Sequence, residues 1–155
     1  MEITTGTFES TLDDKGRVVV PASLRDYYQG DLIITQGQER CVWVMTPKAF
    51  EFFQERINNL PESLNYDEFS SFQYLYEGAV KKVEIDPKTG RIQVPAALRS
   101  YASLSKDCLV LSINGHLEIW NTDGYRKFMD ETRLKVKEAM KKLGRVNFFP
   151  KEGQS

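Results

Sequence analysis

A twelve-residue segment occurs twice in this chain, and that duplication constrains its fold more than any other feature. Gly16-Arg17-Val18-Val19-Val20-Pro21-Ala22-Ser23-Leu24-Arg25-Asp26-Tyr27 returns as Gly90-Arg91-Ile92-Gln93-Val94-Pro95-Ala96-Ala97-Leu98-Arg99-Ser100-Tyr101, identical at eight positions. A repeated supersecondary unit sets the architecture before any other pattern is weighed. Each copy follows a short loop of acids and lysine, Asp13-Asp14-Lys15 and Asp86-Pro87-Lys88-Thr89.

The repeat extends beyond those residues. Thr7 to Leu12 alternates apolar and polar and predicts a half-buried strand. Asp13 to Gly16 has turn chemistry, and the β-branched run after it predicts the returning strand. Pro21 suits the first position of a short helix over 22–28, with Leu24 and Tyr27 or Tyr28 turned inward. Leu32–Thr35 and Val42–Met45 predict two further strands, and Thr46 a helix cap ahead of Phe50, Phe53, Ile57 and Leu60. Tyr66, Phe69, Phe72 and Leu75/Tyr76 predict a further helix ending at Gly78. The order then starts again: a strand over 79–85, the loop, a strand from Arg91, and a short helix from Pro95. Two strands follow, joined at Asn114-Gly115, a strong hairpin signal. Thr122 then caps a long helix bearing Tyr125, Phe128, Met129, Val136, Met140 and Leu143 on one face, which ends at Gly144. The halves span roughly 5–60 and 78–143, with 62–77 an added helix. Neither half has enough strands to bury both faces alone, so a common barrel is expected.

At 155 residues, 41% of them hydrophobic and 28% charged, the chain reads as an ordinary globular protein. No apolar run reaches membrane-spanning length, and Met1–Thr5 has no signal-peptide pattern, so a cytoplasmic location is expected. Cys41 and Cys108 lack metal-ligand spacing and are expected as buried free thiols. The net charge of −1 hides a split. Residues 1–78 carry 6 Lys+Arg against 13 Asp+Glu, and residues 79–155 carry 15 against 9. Solvated helix faces or a partner surface both account for that.

No residue set has a catalytic pattern. The single histidine, His116, is expected as an exposed turn residue, and there is no phosphate loop, His-based metal motif or nucleophile elbow. Neither cofactor, metal nor small-molecule ligand is expected. The loops carry more information. A two-stranded ribbon fits the major groove of DNA, where Arg bonds guanine O6 and N7 and Lys neutralises phosphate. Gly16 and Gly90 are read as removing bulk where backbone nears DNA, and Arg25 and Arg99 as structural, paired with nearby acids. A protein-interaction module, with contacts at 62–77 and Phe148-Phe149, is the other reading of these features. An enzyme is the third.

Asp13-Asp14-Lys15-Gly16-Arg17, with Val20-Pro21 and Leu24-Arg25, resembles the Asp-x-Lys-Gly-Arg signature of MraZ proteins. Asp86, Gly90-Arg91, Val94-Pro95 and Leu98-Arg99 resemble its second copy. The resemblance implies an α+β fold of two tandem AbrB/SpoVT-like swapped-hairpin half-barrels, forming one pseudo-dimeric β-barrel flanked by helices. On that frame residues 5–50 and 78–122 are the two repeat domains, 51–77 linking helices, 123–144 a C-terminal helix and 145–155 a tail. It further implies a nucleoid-associated transcriptional regulator at the promoter of the division and cell-wall gene cluster. Its partners would be double-stranded DNA, in repeated short boxes, and itself, as a ring-shaped homo-oligomer. The DNA-binding residues carried over are Lys15, Gly16, Arg17, Lys88, Thr89, Gly90 and Arg91. The second loop is one residue longer than the usual Asp-x-x-Gly-Arg. An AbrB-like antitoxin or an assembly scaffold is the alternative.

Overall fold

A computed structural model describes residues 5–151 and 153. The N-terminal segment read above for a signal lies outside them, apart from Thr5, as do tail residues 152, 154 and 155. The chain forms one compact unit ending at Thr122 and a second from Asp123 onward.

The first unit is α+β. Among the described residues eight strands occur: β1 (Gly6–Thr11), β2 (Arg17–Val19), β3 (Asp31–Gln36), β4 (Val42–Met45), β5 (Lys81–Glu84), β6 (Arg91–Gln93), β7 (Asp107–Ile113) and β8 (His116–Asn121). Six form one antiparallel sheet in the order β1-β7-β8-β4-β3-β5, and β2 forms a separate two-stranded pair with β6, joined to the chain just beyond β1 by a single Leu12–Val18 bridge. The expected closed barrel is therefore corrected. The large sheet keeps two free edges, β1 and β5, because the three-residue strands β2 and β6 leave it to pair with each other.

The halves interleave. β1 from the first half pairs with β7 of the second, and β5 of the second pairs with β3 of the first. Strand alternation explains what is buried. In β7, Cys108, Val110 and Ser112 turn inward; in β2 and β6 it is Val18 and Ile92, which lie directly opposite each other. These join Leu24, Tyr28, Leu32, Ile34, Val94 and Leu98 in one core drawn from both halves.

Both prolines of the repeat sit one place earlier than expected. Pro21 (φ −53°, ψ 141°) and Pro95 (φ −56°, ψ 146°) are extended caps rather than first helical residues. After Pro95 comes α3 (Ala96–Tyr101), but after Pro21 only a 3₁₀ turn, Ala22–Leu24. Ser23 and Asp26 stand in the first copy where the second has Ala97 and Ser100, which lowers its helix propensity. Tyr28 is the inward tyrosine; Tyr27 is exposed.

α1 (Pro47–Asn58) starts where expected, the Thr46 hydroxyl accepting from Ala49 N, and it stops short of Leu60. α2 (Tyr66–Phe72) opens on a reciprocal Asn65–Glu68 capping box and runs through a π-helical turn, Gln73–Glu77, to Gly78. Asn114 (φ 51°) and Gly115 (φ 81°) form the β7–β8 turn, both left-handed as a type I′ turn requires. His116 is corrected: it is largely buried, with Nε2 2.9 Å from Glu118 Oε2. The same carboxylate accepts from the Trp43 and Trp120 indole N–H groups. Cys41 and Cys108 are buried free thiols, and burial raises the Cys108 thiol to about 11. In the second unit α4 (Thr122–Leu143) carries three exposed i,i+3 ion pairs and ends at Gly144 (φ 69°). Among the described residues no helix is long and apolar enough to cross a membrane, and no cluster of ligands could hold a metal.

Ile92 is almost fully buried on the inner face of the β2–β6 pair. Ile92→Ala should lower unfolding free energy by about 2–5 kcal/mol. Lys81→Ala, on an exposed edge position, should change it by less than about 0.5 kcal/mol. Urea titration of both variants measures the contrast.

Candidate nucleic-acid interface

Each loop is built by its aspartate. In the first, Asp13 Oδ1 accepts from Lys15 N (3.0 Å) and Arg17 N (2.8 Å), while Gly16 N returns to Asp13 O. In the second, Asp86 Oδ1 accepts from Lys88 N (2.8 Å) and Thr89 N (3.3 Å), and Gly90 N returns to Asp86 O. The extra residue has a use: Thr89 Oγ1 accepts the Arg91 N–H, the bond that Asp13 supplies to Arg17. Backbone N–H donation, led by Arg17 N at Asp13 and Lys88 N at Asp86, holds both carboxyls below their ordinary value near 3.8.

The loops meet across the β2–β6 pair. Val20 N donates to Gly90 O (2.8 Å) and Val94 N to Gly16 O (2.9 Å), so each loop's glycine carbonyl is fixed by the other copy. With Arg17 opposite Gln93 and Val19 opposite Arg91, these four side chains share the face turned away from the core. The side chains of Arg17 and Arg91 are 38% and 37% exposed. Both reach toward one carboxylate. Arg17 Nε is 2.8 Å from Asp13 Oδ2, and Arg91 Nε is 3.7 Å from the same oxygen. Asp86 has no such ion pair among the described residues. Lys15 and Lys88 are exposed at the loop tips, and Thr89 is half-buried.

The glycines have a different role from the one expected. Gly16 (φ 79°) and Gly90 (φ 72°) are buried, not open to an approaching backbone. A Cβ on Gly16 would fall 1.4 Å from Arg99 Nη1, and one on Gly90 would fall 2.2 Å from Arg25 Nε. Each arginine of the repeat thus lies over the glycine of the opposite loop. Arg25 and Arg99 were expected to pair with acids; neither does among the described ion pairs, and Arg25 Nε instead donates to Val20 O (2.9 Å). Gln93 was not picked out from sequence, because its first-copy counterpart is Val19 and the repeat gives no signal there. The seven sequence-selected residues flank the antiparallel β2–β6 ribbon: Lys15 and Gly16 lie at the end where Arg17 meets Gln93, and Lys88, Thr89 and Gly90 at the end where Arg91 meets Val19.

Gly16→Ala must both strain a left-handed backbone, at roughly 1–2 kcal/mol, and displace Arg99. A lower melting temperature with a disordered first loop is expected, read by amide exchange at Lys15 and Arg17. Because the folded carboxyl values are depressed, the loop bonds contribute stability fully above about pH 4. That contribution should be lost as pH falls further through the depressed values, with no loop transition between pH 5 and 8.

The chain matches the model of the MraZ protein family, which is further described as antitoxin-like, over residues 3–68 and 75–145. It is 32% identical over 145 residues to the transcriptional regulator MraZ of Treponema denticola, covering 93% of this chain and 99% of that protein. The transcriptional regulator MraZ of Symbiobacterium thermophilum is 32% identical over 139 residues, covering 90% and 99%. That of Frankia casuarinae is 36% identical over 125 residues, covering 81% and 85%. With both copies of the repeat inside the matched segments, the chain belongs to the MraZ family.

Proposed function

We propose that this protein is a sequence-specific DNA-binding transcriptional regulator, not an enzyme, and that it meets DNA with the outward face of the β2–β6 ribbon. The observation that carries the reading is the placement of Arg17 and Arg91 on that one face, with Lys15 and Lys88 at the adjoining tips. A two-stranded ribbon has the width to enter the major groove. Arg17 holds Asp13 through Nε, which leaves its terminal amino groups for a guanine edge. Thr89 and the lysines would meet phosphate. Gly16 and Gly90 belong to the site as the floor on which Arg99 and Arg25 lie.

The exchange of β1 and β5 between halves supports reading the first unit as two swapped-hairpin repeats, with domain limits near 5–50 and 78–122. The names of the relatives support regulation as the role. On this reading the protein acts in the cytoplasm, on the nucleoid, at the promoter of the division and cell-wall gene cluster. Single loops bind weakly, so several subunits of a ring engaging repeated boxes supply avidity. The acidic first half and basic second half suit a head-to-tail contact, the kind that closes into rings. An interaction module of antitoxin type is the second reading, favoured by Tyr66 and Tyr74, each 82% exposed around α2.

Arg17→Ala should weaken specific binding by roughly a hundredfold or more, the loss of one bidentate base contact and one phosphate-range charge. Arg91→Ala should weaken it less, since its loop is longer. Both should melt near wild type. Gel shifts on DNA from upstream of the protein's own gene, run beside thermal melts, decide it; unchanged affinity in both variants sinks the assignment. Affinity should also fall steeply between 50 and about 200 mM salt.

A further inference from the structure

The two loops are not braced alike. On the first, Gln93 Nε2 donates to Lys15 O (2.8 Å) and reaches Gly16 O (3.4 Å), and the Arg99 guanidinium lies beside it over Gly16, where a Cβ would meet both side chains. The first loop is thereby gripped by two side chains of the second copy. The second loop has one grip: Arg25 lies over Gly90, but Val19 stands where an amide would be needed. Among the described hydrogen bonds none reaches the carbonyls of Lys88 or Thr89. That loop also has the extra residue.

We infer that Gln93 and Arg99 are positioning residues for the first loop, and that they make it the rigid, base-discriminating contact while the second loop serves as an adaptable one. The inference rests on the DNA-binding reading above. Base readout requires an arginine held within hydrogen-bonding geometry of one base edge. A loop already fixed spends little conformational entropy on binding, whereas a loosely held loop must be ordered by its contact. Phosphate neutralisation, by contrast, tolerates a mobile cation. The bond from Gln93 falls on the carbonyls of Lys15 and Gly16, the two residues that aim Arg17. On the outer face of the strands the asymmetry is written in one exchange, Val19 for Gln93, since the other outward pair is Arg17 and Arg91.

The test uses the full chain, a duplex from upstream of its own gene and a scrambled duplex of equal length, with binding read by fluorescence anisotropy. Gln93→Val installs the residue the first copy carries. Specific affinity should drop on the order of tenfold, with affinity for scrambled DNA unchanged within about twofold. Amide exchange at Lys15 and Gly16 should quicken while the melt stays near wild type. Arg99→Lys, which keeps the charge but not the planar fork, should show the same pattern, and Val19→Gln should not reduce discrimination. An unchanged specificity ratio in Gln93→Val overturns the inference. So does an Arg99→Ala variant that weakens both duplexes equally and flattens the salt slope by about one, with Arg99→Lys normal, since Arg99 is then a phosphate contact. If wild type fails to discriminate the duplexes, the DNA-binding reading fails instead. The brace is then judged on exchange alone: slow Lys15 and Gly16 amides in Gln93→Val refute it.

Discussion

The placement of both loops depends on β2 pairing with β6. Three residues from each copy make that ribbon, and its inner side places Val18 directly against Ile92 in the core. Its outer side gathers Arg17, Val19, Arg91 and Gln93. The bonds that extend it, Val20 N to Gly90 O and Val94 N to Gly16 O, end on the loops themselves. Each loop is therefore fixed to the opposite copy as well as to its own strands. Separated hairpins would keep their aspartate turns but lose the crossed arginines, because Arg99 lies over Gly16 and Arg25 over Gly90.

This arrangement explains how a chain with formal charge −1 can still present a cationic tip. Net charge governs long-range behaviour; contact chemistry depends on what stands within a few ångströms. Two of the loop acids are spent on their own turns, while Asp14 stays exposed. Asp13 and Asp86 accept main-chain N–H groups, which is why their carboxyls sit below the ordinary range. Asp13 also attracts both Arg17 and Arg91, and so sets the lateral placement of two cations on one face. The exposed pair Arg17–Asp13 adds little to stability. Its consequence is geometric: it fixes which end of the guanidinium points outward.

Much of this was legible in the sequence, for identifiable reasons. The duplicated segment, the turn residues before it, the Asn114-Gly115 hairpin and the Thr46 cap are local signals, and local chemistry decides them. The misreadings concern long-range pairing. A common closed barrel is the expectation because neither half has enough strands to bury both faces alone, but nothing local reveals that β2 and β6 pair apart from the large sheet. His116 is expected to be exposed because it follows a turn; its burial depends on Trp43, seventy-three residues away, and on Glu118, two residues along its own strand. Gly16 and Gly90 do take the positive φ that their turn chemistry suggests. Their left-handed φ is a local property, whereas the arginine filling the space above each comes from the other copy.

Gln93 shows the limit of reading by repeat. Comparison of two copies weights identity, so it selects what the halves share: glycine, arginine, Val-Pro-Ala, Leu-Arg. Those shared residues build the ribbon and its tips. A ribbon of two identical strands would be twofold symmetric and would treat either direction along a groove alike. The departures, Gln93 for Val19 and the extra residue before Gly90, break that symmetry at the face itself. If subunits associate head to tail, each offers its ribbon in the same sense, and the broken symmetry is kept from one subunit to the next. Polarity in such an assembly would then originate in one amide and one inserted residue, not in the conserved-looking segment that defines the repeat.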